Sequence, residues 1–263
     1  MSFFVNNVEL NEATFNQQEV KSIYFNTHLI WEAASWPGWD NATWGDVYNL
    51  CKAKKEERIT AWPNDVVLGA TKETTLSTAI LGTSTFTMRI IGLDIDGKGV
   101  ITFDSKYVTA ESMNLDLIDI DTCQYDFYRY CDANDYIKPL NKGISSGDIN
   151  RNGNVNYTYY EVWSLSEREV DLDRYSGISA ANSTPTNAEC TYGVKKPYPY
   201  FTSDGRRIKT IAGSSAKQSW LTRSVNIIPN IGMKRIAIDN NGHSAYDATN
   251  IRFSPCFAIG PIH

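Results

Sequence analysis

Ser219-Trp220-Leu221-Thr222-Arg223-Ser224 and Phe253-Ser254-Pro255-Cys256-Phe257-Ala258-Ile259 are the two stretches on which the fold turns. They read as strands, the second running over residues 252–259, and a third strand is expected between them at residues 235–238. The connections, residues 225–234 and 239–250, contain five Asn, and the second is rich in short polar side chains. Asn240-Asn241-Gly242-His243-Ser244 has the composition of an adaptable recognition loop held by rigid strands, and equally that of a plain hairpin turn.

Working upstream, residues 159–165 form an aromatic strand, and Ser166 with Glu169 three positions later matches a capping box. Residues 66–68, 74–76, 85–93 and 100–103 read as further strands, with Asp94-Ile95-Asp96-Gly97-Lys98-Gly99 as a turn. Two helices are expected. Trp44, Val47, Tyr48 and Cys51 share one helical face, with Asp40 or Asn41 as N-cap. Cys123, Phe127, Tyr130 and Cys131 have helical spacing within residues 122–136. Periodicity fades over residues 171–217, which are rich in Ser, Thr, Asn, Pro and Gly. The mixture predicts an α+β fold.

Before all of this lies a small β unit. Val20, Ser22 and Tyr24 alternate, and Asn26-Thr27 is placed to turn the chain before Leu29-Ile30-Trp31. A unit of about 30 residues is too small to be stable alone, so it must dock on something larger. Trp36-Pro37-Gly38-Trp39-Asp40 breaks both periodicities and marks a junction. The expected division is an N-terminal anchor over residues 1–35 and a main domain over residues 36–263.

With 263 residues the chain is long enough to bury a sizeable core. Its 25 Lys and Arg against 30 Asp and Glu give a formal charge of -5, which argues against a nucleic-acid partner, because counterion release needs a dense basic face. No apolar run is long enough to span a bilayer, and the opening residues lack the pattern of a secretory signal. Five Cys cannot all pair internally, and no C-x-x-C is present. Free, mostly buried thiols made in a reducing cytoplasm are expected.

Chemistry-bearing motifs are weak. Asp148-Ile149-Asn150-Arg151-Asn152-Gly153 resembles the first half of a calcium loop, but the twelfth position is Tyr159 rather than a bidentate Glu. An Asn- and Gly-rich turn accounts for it better. Asp94 and Asp96 pair two carboxylates near a bend, without a nearby His, and a hairpin turn is the simpler reading. His28, His243 and His263 lie far apart, so no metal site is expected. No G-x-S-x-G and no P-loop occurs. Cys190 and Cys256 are the only pair that could serve a redox enzyme, and buried structural thiols are the preferred reading. Neither a catalytic residue nor a cofactor is expected.

Several blocks together carry a resemblance. Val162-Trp163-Ser164-Leu165-Ser166-Glu167-Arg168-Glu169-Val170, Tyr198-Pro199-Tyr200-Phe201, Arg206-Arg207 and the two opening stretches resemble a family of phage and bacterial proteins with the pattern (W)LLSE-x-EV, YPYF, WWLRS and VRPAF-x-I. Thr222 and Cys256 depart from the commonest pattern, and Trp220 keeps one of its two tryptophans. Trp44-Gly45-Asp46-Val47, Trp62-Pro63-Asn64-Asp65-Val66-Val67-Leu68 and Met88-Arg89-Ile90-Ile91-Gly92-Leu93-Asp94 are similar to the family's earlier section, so the likeness covers roughly residues 40–260.

The resemblance implies a C-type-lectin-like domain, as used in phage tropism determinants and in formylglycine-generating enzymes. It implies a ligand face on residues 225–234 and 239–250, with Asn226, Asn230, Met233, Asn240, Asn241, His243, Tyr246, Asp247 and Asn250 as contacts. Residues 20–31 resemble a hairpin at the start of phage tail-associated proteins, with Thr27 in place of the usual Gly. The implied protein is a receptor-binding component of a phage tail fibre or tail tip, assembled in the bacterial cytoplasm and tethered to other virion proteins by the hairpin. Its partner is a host cell-surface protein or glycan. A homotrimer is expected by analogy, without membrane insertion. The alternatives are a carbohydrate-binding adhesin, a structural decoration protein of the virion, and an oxidase using Cys190 and Cys256.

Overall fold

The computed structural model describes residues 36–113, 120–145, 155–170, 197–201, 204–228, 232–245 and 250–261, with short backbone segments in the first 32 residues. Those segments are three hairpins: β1 (Phe4–Val5) with β2 (Val8–Glu9), β3 (Thr14–Phe15) with β4 (Gln18–Glu19), and β5 (Ser22–Phe25) with β6 (His28–Glu32). In the last, Phe25 stands opposite His28, the register expected from a connection at Asn26-Thr27.

The junction is fastened to the main domain. Asp65 accepts hydrogen bonds from the Trp36 indole at 3.0 Å and from the Trp39 backbone at 2.6 Å. Burial pushes the Asp65 carboxyl up, but these donors outweigh it and hold the group below its ordinary range.

Helix α1 (Trp44–Lys55) follows. Its N-cap is Thr43, a correction to the expected Asp40 or Asn41. The Thr43 hydroxyl accepts from the Asp46 amide while the Asp46 carboxylate accepts from the Thr43 amide at 2.8 Å. Only a cap three residues ahead of an acid gains this reciprocal pair, and neither Asp40 nor Asn41 has one. Residues 66–68 are not a strand. Val66 donates to the Pro63 carbonyl and Ala70 to that of Val67, so turns occupy the segment, and ladder pairing begins only at Gly69 and Ala70 against Ile90.

The central element is a five-stranded antiparallel sheet. Strands β7 (Thr71–Ile80), β8 (Thr83–Leu93) and β9 (Ile101–Ser105) form a meander. Helix α2 (Ile120–Tyr130) comes next, then hairpin β10 (Leu140–Ser145) and β11 (Val155–Tyr160), then β12 (Val162–Trp163). Short strands β13 (Lys209–Thr210) and β14 (Lys217–Gln218) precede β15 (Trp220–Ile228), β16 (Gly232–Ile238) and β17 (Ser244–Ala245), which form their own sheet. Strand β18 (Cys256–Ile259) closes the central sheet in the order β12-β18-β9-β8-β7.

The second helix ends earlier than residue 136. Cys131 bridges Leu76, and Asp132 accepts the Thr74 and Thr75 hydroxyls while its amide donates to Thr75, so the β7 edge captures the chain there. The aromatic strand expected over residues 159–165 divides at Glu161, because β11 pairs with β10 while β12 joins the central sheet. The last strand is regular only from Cys256, since Pro255 has no N–H to give the ladder.

The two faces of the central sheet differ in chemistry. On one, Ile90, Phe103 and Phe257 lie in register, with Phe103 stacked on Phe257 at 5.4 Å. Trp39, Trp44 and Phe127 pack over them from the junction and the two helices. On the other, Arg89, Asp104 and Cys256 form a row across three strands. Pleating puts successive residues on opposite faces, so one short strand supplies both. Strands with helices packed on one sheet face constitute the α+β architecture expected.

Gly99 closes the Asp94–Gly99 turn at φ +72°, and a Cβ there would stand 2.4 Å from the Cys51 carbonyl oxygen. Gly213 has nearly the same φ, +77°, but open space around it. Gly213→Ala should therefore lose about 1–2 kcal/mol from left-handed backbone strain alone. Gly99→Ala should lose about 2–4 kcal/mol, because overpacking adds to that strain. Urea denaturation of both variants checks the difference.

Candidate functional site

The site is best built from the frame beneath it, which consists of buried charges. Glu169 is its hub. The turn carrying it is held by the anticipated reciprocal bonds: the Glu169 amide donates to the Ser166 hydroxyl at 3.2 Å, and the Glu169 carboxylate accepts from the Ser166 amide at 3.1 Å. Lys142 of β10 donates to the same carboxylate at 3.0 Å, and Arg223 of β15 pairs with its other oxygen. Lys142 also donates to the Tyr198 hydroxyl at 2.7 Å, and that hydroxyl donates to Asp96 at 2.8 Å. The guanidinium of Arg223 binds the Ser164 and Gly143 carbonyls. These side chains are essentially without solvent contact.

Asp96 and Glu169 face Lys142 and Arg223 in this cluster, acid against cation. Burial pushes the Glu169 carboxyl up, but the two cations outweigh it and hold the group below its ordinary range. Tyr198 is pushed well above its ordinary range, first by burial and then by Asp96 and Glu169.

A second buried cluster centres on Asp104, which pairs with Arg89 at 2.8 Å and with Lys209. The Lys209 ammonium also binds the Ser105 carbonyl at 2.7 Å and the Ser254 hydroxyl, and it lies 4.5 Å from the Trp220 ring centroid. Arg89 stacks 4.5 Å from the Tyr200 ring centroid. One acid against two cations leaves a formal excess of positive charge, and burial depresses Lys209 to about 8. Both clusters consist of buried side chains.

Above the frame stands the loop between β16 and β17. The Asp239 carboxylate accepts from the amides of Asn241 at 2.8 Å and His243 at 2.9 Å. The Asp239 amide donates to the His243 carbonyl at 2.7 Å, and Gly242, at φ +85°, donates back to Asp239. One carboxylate thus fixes the loop backbone, an Asx-type turn. Asn240, Asn241 and His243 remain exposed. The next residue, Ser244, donates to the buried Glu167 carboxylate, two residues from the Glu169 hub.

Of the expected contact residues, the structure describes the backbone of six, and these divide between the two ends of the β15–β16 ladder. Trp220 stands opposite Ile238 at one end of the β15–β16 ladder, and Ile228 stands opposite Gly232 at the other. Six residues separate Ile238 from Gly232 along β16, roughly 20 Å. Asn240, Asn241 and His243 follow Ile238, and exposed Asn250 leads into Arg252, which bridges Trp220. These four gather at the Trp220 end. The backbones of Asn226 and Met233 lie near the other end, each in its strand. Asn230, Tyr246 and Asp247 lie outside the described residues, as do Cys190 and the calcium-like Asp148–Gly153 segment.

Cys51, Cys123, Cys131 and Cys256 are buried. Burial first, then Asp104, pushes the Cys256 thiol well above its ordinary range, so the thiolate that redox chemistry needs is not populated near neutral pH. Among the described residues, no three His, Cys, Asp or Glu side chains are grouped to hold a metal ion. Comparison with family models, curated proteins and solved structures found no match.

The Lys209 shift has a definite sign in stability. Its folded-state pKa lies near 8, below the ordinary value of 10.5, so between these the unfolded chain binds more protons. Lys209 therefore adds stability as pH rises from about 8 to 10.5. The buried thiols act oppositely above their ordinary range, so the comparison must be differential. Wild type measured against Lys209→Met by urea denaturation should gain relative stability across that window, and show no trend between pH 6 and about 7.

Proposed function

We propose that this chain is a receptor-binding protein of a phage virion, in which a C-type-lectin-like domain presents the Asp239–His243 loop to a host cell surface. The observation that carries this reading is the loop itself. Its backbone is pinned by one carboxylate and anchored through Ser244 to a buried acid, while its outward side chains are short, polar and exposed. A loop so arranged separates shape from contact. Asn240, Asn241 and His243 can be exchanged without touching a buried group, and recognition costs little ordering entropy.

The blocks that resemble tropism-type domains support the reading by their positions. Trp163, Trp220 and Phe257 are fully buried, and Arg223, Glu169 and Tyr198 supply the charged frame. The motif residues build the support and leave the tip to vary. The opening hairpins suit tethering: β5 and β6 form a two-stranded sheet, and strand edges of such a sheet can add to a sister chain or another virion protein. A trimer would multiply weak contacts into firm attachment. Among the described residues no helix is long and apolar enough to cross a membrane.

Fluorescently labelled protein incubated with a panel of bacterial strains should decorate a subset of them in flow cytometry. The triple substitution Asn240→Ala, Asn241→Ala, His243→Ala should reduce that binding at least tenfold while shifting Tm by no more than about 2 °C, as expected for solvent-facing positions. Undiminished binding by the folded triple variant, or no strain bound by wild type, would count against the assignment.

A further inference from the structure

Helix α2 presents a second surface of quite different chemistry. Asp121, Gln124, Tyr125 and Tyr128 recur at i, i+3, i+4 and i+7, one side of the helix, while Cys123 and Phe127 enter the core. That side forms one wall of a cleft whose other wall, with Tyr160 and Glu161, lies where the chain passes from β11 to β12. The cavity itself is about 100 Å³ and opens broadly to solvent, smaller than an enclosed ligand pocket, so a single sugar ring would rest in its mouth with one face in water.

Its composition is selective. Tyr125 is 59% exposed, so a large aromatic face is offered to solvent. Gln124 is only 5% exposed, and its side-chain carbonyl oxygen is buried with no hydrogen-bond partner among the described residues. An unmet buried acceptor is destabilising, and an occupant bringing an N–H donor would relieve it. The Tyr128 hydroxyl is pushed above its ordinary range, first by burial and then by the Glu161 carboxylate. The lining contains two carboxylates and no Lys or Arg, so an anionic ligand is repelled. Aromatic faces beside carboxylates favour a cation, and the amide oxygen favours one that can donate.

We propose that this cleft binds an amino sugar, with the protonated primary amine directed to the Glu161, Asp121 and Gln124 oxygens and the ring laid against Tyr125. The site shares no residue with the Asp239–His243 loop and stands whether or not that loop binds a receptor.

Isothermal titration of the full chain at pH 6 and low salt tests this with three probes: glucosamine, N-acetylglucosamine, in which the amine is blocked, and butylamine, in which the ring is absent. Glucosamine should bind saturably and at least tenfold more tightly than either control. Tyr125→Ala and Glu161→Gln, each checked for an unchanged melting curve, should weaken it at least tenfold, and Asn241→Ala should leave it unchanged. Absence of saturable glucosamine binding, equal binding of either control, or full binding by both cleft variants would overturn the proposal.

Discussion

Glu169 is buried as a carboxylate between Lys142 and Arg223, and each cation takes charge compensation from it. That mutual compensation is the constraint from which the rest of the structure follows. Three separate segments, the 164–170 turn, β10 and β15, meet at one carboxylate. A buried ion pair contributes little net energy compared with apolar packing, but losing one partner costs about 3–5 kcal/mol, because the other charge stays buried and uncompensated. Such a cluster therefore penalises wrong arrangements more than it rewards the right one. The Arg89–Asp104–Lys209 cluster does the same for β8, β9 and the segment at 209.

The two clusters explain why one sheet can carry an aromatic face and a charged face on the same three strands, β8, β9 and β18. Phe103 and Phe257 look toward the helices, and their neighbours Asp104 and Cys256 look toward the second cluster. The aromatic face supplies the hydrophobic burial that stabilises the domain. The charged face fixes which strands lie over it. The Asp239–His243 loop inherits its position from that second layer, through Ser244 on Glu167 and through the pairing of β16 with β15. Exposed side chains at its tip make no demand on the frame, which is the physical basis for assigning recognition there.

Local features were legible in the sequence. The hairpin register at Phe25 and His28, the helical face of Cys123 and Phe127, the turn after Asp94 and the Ser166–Glu169 pair all depend on residues a few positions apart. Where local signals competed, the stronger geometry prevailed. Thr43 with Asp46 displaced Asn41 as the cap because it alone forms a reciprocal pair, and the turns at Pro63 and Val67 kept Val66 to Leu68 out of the sheet. The charged layer was not legible, because its partners are distant: Lys142 and Glu169 lie 27 residues apart, Arg223 and Glu169 54, and Lys209 and Asp104 105. The expected contact residues fall on two stretches of chain, and only the ladder register reveals that the described ones lie toward opposite ends of one hairpin. The cleft of α2 leaves no trace in the sequence pattern, because its second wall comes from the strand switch at Glu161, which no periodicity marks.

The most direct test of the charged frame is amide hydrogen exchange on Glu169→Gln compared with wild type. If Glu169 joins the segments as described, protection should fall together in β10, β15, the 164–170 turn and the amides of Asn241 and His243, while Phe103 and its neighbours in β9 stay protected. A loss confined to the few residues around position 169, or one spread evenly over the whole domain, would contradict the account.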